Sequence, residues 1–125
     1  MVDLGLTGRR VESVLIERSV VLGLSDSRCV LVSSPLVLTL DGSRFELLPD
    51  TDSDEALQPL HCLIDRFVLD AGFNESGTLH IVLSADAALT VERDPNYEAW
   101  NVSGPGGALV VCLPSGKLAV WSRDA

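Results

Sequence analysis

Apolar residues recur along this chain in short runs of about five, alternating with polar ones in places, and Gly, Pro, Asp and Ser collect between them. Successive side chains of a pleated strand point to opposite faces, so this spacing predicts strands separated by turns. Leu6 to Ile16 reads as a turn and a strand, and Ser19 to Leu24 as its return after the tight Glu17-Arg18 connection. Arg28 to Val32 follows through Ser25-Asp26-Ser27, and Pro35 stops it. Leu36 to Leu40 alternates cleanly before Asp41-Gly42 turns the chain into Arg44 to Leu48, so the first part reads as a meander. The last third, Tyr97 to Trp121, holds three apolar runs divided by Ser103 to Gly107 and by Pro114-Ser115-Gly116. Both tryptophans and the single tyrosine lie there, so this segment is expected to anchor the core.

A similar pattern recurs. Leu6 to Ile16 lies over Leu63 to Phe73 at an offset of 57, matching Arg9 with Arg66 and Val11 with Val68. Ser19 to Val32 lies over Thr78 to Val91 at an offset of 59, matching Leu24-Ser25 with Leu83-Ser84. The alignment outlines repeats at 6–48 and 63–121 within one domain spanning 1–125. Between them, Pro49 to Cys62 is the one plausible helix, with Asp52 and Glu55 at capping-box spacing and Leu57, Leu60 and Ile64 as an apolar stripe. Pro59 limits it to one or two turns. The predicted fold is therefore all-β: a sandwich or flattened barrel of about ten short antiparallel strands, with meander halves packed on each other. Around Leu79 to Leu83 and Leu109 to Leu113 both strand faces are fairly apolar, which predicts cover on the second side, a second subunit included.

Composition narrows the partners. The chain carries 18 acidic residues against 9 basic ones, a net charge of -9. Such a charge repels phosphate backbones and anionic lipid headgroups, which argues against nucleic acid or membrane partners and favours a basic protein. Cys29, Cys62 and Cys112 form an odd set without C-x-x-C spacing, as expected of reduced thiols in the cytoplasm. No stretch has signal-peptide character or membrane-spanning length.

Each candidate chemistry falters on its own requirements. Asp50, Asp52 and Asp54 open like a calcium loop, but Glu55 stands where the sharp turn needs glycine and His61 where the bidentate glutamate belongs. His61-Cys62 with Cys29 and Cys112 lacks zinc-ligand spacing. Ser103 to Gly107 leads into a strand, whereas phosphate loops lead into a helix. No catalytic residue, metal site or cofactor is assigned. Tyr97, Glu98 and Trp100 remain as candidate protein-binding residues, with Glu98 and Trp100 on one face of an expected strand and Tyr97 on the other.

The opening L-T-G-R-x-V (Leu6 to Val11), the central L-x-P-L (Leu57 to Leu60) and the closing Y-E-A-W, G-P-x-G, C-x-P-x-G and A-x-W (Tyr97 to Trp121) resemble a family of small bacterial proteins, mostly actinobacterial, of unassigned function. Ser115 stands where a glycine is expected. The resemblance spans nearly the whole chain and implies no activity. The expected function is a non-enzymatic protein-interaction module, immunity-like toward a basic partner, or a homodimer. The alternative is a small-molecule binder or small enzyme with a cavity between the half-sheets, where His80, Arg66 or Glu98 would converge.

Overall fold

Side-chain alternation dictates the strands that form. In chain order they are β1 (Val2–Asp3), β2 (Val11–Ile16), β3 (Val20–Leu24), β4 (Arg28–Val32), β5 (Leu36–Leu40), β6 (Ser43–Leu47), β7 (Val68–Phe73), β8 (Leu79–Leu83), β9 (Ala87–Val91), β10 (Trp100–Ser103), β11 (Leu109–Cys112) and β12 (Leu118–Trp121). The structure is a computed structural model and describes residues 2–105 and 108–121, with the side chain of Trp121 and the Gly106-Gly107 part of the predicted turn outside the described residues. Two antiparallel six-stranded sheets result, ordered β1-β7-β8-β9-β5-β6 and β12-β11-β10-β4-β3-β2. The fold is an open sandwich, not a closed barrel. The described residues form twelve strands in place of the expected ten or so, the two-residue β1 being too short to leave a pattern.

The inward residues alternate as expected. Leu79, Ile81 and Leu83 of β8 and Ala87, Leu89 and Val91 of β9 are buried, as are Val20, Leu22 and Leu24 of β3. With Trp100, Phe73 and Leu38 they form a single apolar cluster between the sheets. No helix among the described residues is long and apolar enough to cross a membrane.

The meander expectation needs correction. β2, β3 and β4 are consecutive neighbours, but β5 leaves that sheet and pairs with β9, while β10, which follows β9, crosses back to pair with β4. Each sheet is thus built from both halves of the chain. Pro35, with no N–H to give, sits at the first crossing, and Ser33 and Ser34 donate their amides to the Ala99 carbonyl (2.9 and 3.3 Å) at the second.

Residues 57 and 59 apart hold matching places. Val11 N donates to Arg66 O (2.9 Å) and Val68 N to Arg9 O (2.8 Å), on either side of the Arg10–Phe67 bridge. Arg10 N donates to Ser25 Oγ (3.0 Å) and Phe67 N to Ser84 Oγ (2.9 Å). The turn Ser25-Asp26-Ser27 and the turn Ser84-Ala85-Asp86 each place their last two residues in the left-handed region. Arg9 braces the first turn through the Asp26 carboxylate, and Arg66 the second through the Ser84 and Ala85 carbonyls (3.0 and 2.5 Å). Both halves bulge at the same place, Val11/Ser13 and Val68/Asp70.

The helix is α1 (Asp54–Leu57), continued by a 3-10 helix Gln58–Leu63. Its buried residues are Leu57, Leu60 and Leu63, whereas Ile64 is partly exposed. Pro59 ends the α-geometry, and a 3-10 helix has three residues per turn, so positions three apart line up where an α-helix would use the fourth. The expected Asp52–Glu55 capping box does not form. Ser53 Oγ accepts from Ala56 N (3.2 Å), and the Asp52 carboxylate accepts from Leu48 N (2.8 Å) and closes the preceding turn.

Candidate functional site

Three loops meet at the end of the sandwich where β7, β9 and β11 finish. The β7–β8 loop is shaped by Asn74, whose side-chain oxygen accepts from Ser76 N (2.9 Å) and Thr78 N (3.1 Å). Its Gly77 carbonyl then accepts from Trp100 Nε1 (2.9 Å) and Cys112 Sγ (3.4 Å). The β11–β12 loop packs on it through Gly116, where a β-carbon would stand 2.5 Å from the Ser76 carbonyl oxygen. Ser115 adopts a left-handed backbone (φ 68°), which is why glycine is the residue expected there. Its amide donates to Asp94 O (2.7 Å) and so ties down the third loop, residues 92–99.

That third loop presents Tyr97. The Asp94 carboxylate accepts from Asn96 N (2.8 Å) and Tyr97 N (3.1 Å), folding 94–97 into a local turn, and Ser115 Oγ donates to Pro95 O (3.5 Å). Tyr97 is thereby held out of the sheet with 71% of its surface exposed. Exposing so large an aromatic on a braced backbone leaves a substantial apolar area in water.

The loop runs between two shallow clefts. One, of about 510 Å³, lies on the outer face of the second sheet and is lined by Arg18, Leu31, Asp50, Tyr97, Glu98 and Asn101. The other, of about 850 Å³, lies against the first sheet beside Arg44, Thr90, Glu92, Arg93 and Asp94. Tyr97 and Glu98 therefore share the first cleft, but neither lies on a strand. Trp100 is not with them. β10 begins at Trp100, its side chain is fully buried, and its ring packs against Phe73 at 5.8 Å between centroids. The Asp94 turn holds the preceding residues out of the extended conformation, so the expected alternation through Tyr97 does not apply.

The remaining candidates are scattered. His80 lies on the outer face of the first sheet with Nδ1 3.3 Å from Thr90 Oγ1, Arg66 is taken up by backbone carbonyls, and Glu98 lines the cleft at the other sheet. These three do not converge, and apolar side chains occupy the space between the sheets. Cys62 is exposed, Cys29 half-buried and Cys112 buried. Burial pushes the Cys112 thiol up from its ordinary value, against smaller opposing contributions from the Ala99 backbone and Arg93. Among the described residues, no three His, Cys, Asp or Glu side chains form a metal-binding group.

Asp94 and Arg18 did not stand out in the sequence as site residues, and Asp50 did so only as the start of the rejected calcium loop. The Asp94-Pro95-Asn96 triplet carries a turn signal that locates the loop, since Asp side chains cap amides two and three residues on. Asp50 and Arg18 come from distant loops and leave no local signal.

Fold and surface together define a two-sheet β protein with a braced aromatic loop at one end. The chain belongs to the family of unknown function DUF6188, whose model matches residues 2–122. No curated protein and no solved structure matches it.

Proposed function

We propose that this protein is a non-enzymatic interaction module that binds a basic protein partner through the 92–98 loop, in an immunity-like role in the cytoplasm of an actinobacterium. The observation that carries this reading is Tyr97, exposed on a loop whose amides are already tied to Asp94 and Ser115. Ordering such a loop costs little on binding because its conformation is already set, and rigid tyrosines are frequent hot spots. Glu92, Glu98 and Asp50 stand on the loop or beside it, and the net charge of -9 would steer a cationic surface toward them. The matched contacts of the two halves support a further proposal, that the chain arose by duplication.

The test is capture of a partner from the native organism, with Tyr97→Ala and Glu98→Lys as comparisons. Tyr97→Ala should weaken the captured complex about 30-fold, the equivalent of about 2 kcal/mol for a hot-spot aromatic, while the melting temperature stays put. Glu98→Lys should slow association and flatten its salt dependence. Failure to capture any basic protein, or a complex indifferent to both substitutions, contradicts the reading.

A further inference from the structure

The two halves of the chain are built alike but end differently. Leu36 of β5 pairs with Val91 and Trp100 of β10 pairs with Val32, and positions 32 and 91 obey the offset of 59. The β5–β6 hairpin of the first sheet therefore stands where β10 and β11 stand in the second. The register carries through to the next strand: Glu46 pairs with Val37 as Val111 pairs with Asn101, and Arg44 with Thr39 as Leu109 with Ser103. Burial agrees, since Leu47 and Cys112 are buried and Phe45 and Val110 pack partly buried against the core. In the second sheet β12 then adds to the far edge of β11, matching Ala119 with Val111 and Trp121 with Leu109. In the first sheet the chain turns away into α1, and among the described residues β5 is the only strand paired with β6.

Hydrogen-bond phase fixes what this edge offers. The Asp41-Gly42 turn closes on the Leu40–Ser43 pair. Ser43, Phe45 and Leu47 thus turn their amides and carbonyls toward β5, and Arg44 and Glu46 turn theirs away. Among the described residues no backbone group outside β5 bonds to β6. The Arg44 and Glu46 side chains, 64% and 77% exposed, pair with each other at 3.2 Å and leave the strand without net charge. Two of the other three edges are blunted: β1 spans two residues, and β2 is bulged and bonded at Val11 to Asp65 and Arg66. β6 has neither bulge nor proline and keeps its register over all five residues.

We propose that β6 accepts an extended segment of the basic partner as a seventh strand of the first sheet, in the place β12 takes in the second. The proposal rests on the Tyr97 reading for the nature of the partner and adds how its chain is held. Position and charge select this occupant. The larger cleft runs from Arg44, Glu46 and Leu48 to Asp94 and Pro95, and the smaller joins Asp50, just beyond β6, to Tyr97. The free edge and the tyrosine are thus linked along one surface. Exposed Asp41 precedes the strand and exposed Asp50 follows it, which favours lysine or arginine at both ends of the segment. A second copy, itself at -9, brings the same carboxylates and is repelled. Main-chain hydrogen bonds hold such a strand, and alternate side chains select it. The residue beside Leu47 takes the place of Leu118, which packs on the core, and is apolar.

The probe is the synthetic peptide K-K-L-A-V-W-K-K, which carries residues 118–121 of β12 between lysines, and amide hydrogen exchange of the full chain is the readout. In the free protein the Arg44 and Glu46 amides should exchange fast and those of Phe45 and Leu47 slowly. The peptide should slow the first two about tenfold or more, as each gains a hydrogen bond. Methylating the peptide's backbone amides should weaken binding about tenfold or more, and Glu46→Pro, at an edge position that tolerates proline, should do the same with a similar melting temperature. The captured complex should protect the same two amides. Free exchange of both in that complex or at about 1 mM peptide, the weak end of specific binding, overturns the proposal, as does a methylated peptide that binds equally well. A wild type that doubles its mass through this edge, reversed by Glu46→Pro, overturns the choice of occupant. Tyr97→Ala should leave the peptide's protection of Arg44 and Glu46 intact, so failure here and failure of the Tyr97 reading are seen separately.

Discussion

Replacing Trp100 by alanine should cost about 3–5 kcal/mol, as removal of a large aromatic from a core generally does. Such a loss is a large part of the 5–15 kcal/mol that stabilises a typical domain. The indole is fully buried, packs on Phe73, and gives its N–H to the Gly77 carbonyl at 2.9 Å. Alanine removes the packing and leaves that carbonyl with only the weak Cys112 thiol as a side-chain donor. Trp100→Phe separates the two contributions, because it keeps most of the apolar volume and loses the hydrogen bond, at an expected cost of about 1–3 kcal/mol. Urea unfolding measures both. A Trp100→Ala variant as stable as the wild type would mean that the indole does not join the two sheets as described.

Gly116→Ala should be comparably damaging for a different reason. Gly116 has φ +91°, and a β-carbon there would stand 2.5 Å from the Ser76 carbonyl oxygen and 2.6 Å from Arg93 Cδ. The arginine can swing away but the backbone carbonyl cannot. Overpacking of about 1–3 kcal/mol adds to about 1–2 kcal/mol for a β-carbon in the left-handed region, so a loss of about 2–5 kcal/mol is expected in the same unfolding experiment. Gly42→Ala is the control. It also has positive φ (+83°) but nothing within 4 Å, so it should show the backbone cost alone. Equal losses at the two positions would contradict the close approach of the β7–β8 and β11–β12 loops.

Both substitutions act where the sequence was readable only in part. Alternation reveals β3, β5, β8 and β9 directly, because each buries one face and the period of two survives in the residues. The matches of Arg9 with Arg66 and Ser25 with Ser84 were also legible, and they turn out to be the residues that brace the two equivalent turns. Strand exchange was not legible. β5 alternates identically whether it pairs with β4 or with β9, so local pattern cannot tell a meander from a crossing. The helix stripe failed at one residue, Ile64 in place of Leu63, because Pro59 converts the helix to 3-10 geometry. At the candidate site, Tyr97 and Glu98 were singled out from their chemistry, and the structure exposes Tyr97 and places both beside the first cleft. Trp100 was misplaced because the strand was started three residues too early, before the Asp94 turn had released the chain.

The same turn decides whether Tyr97 is a docking point or only an exposed side chain. Backbone ¹⁵N relaxation at Asn96 and Tyr97 examines it most directly, since these are the amides that Asp94 caps. Order parameters near the ~0.85 of rigid backbone are expected at both, as for the flanking strands. Values below ~0.6, typical of a flexible segment, would contradict the braced presentation of Tyr97 from which the binding role is argued.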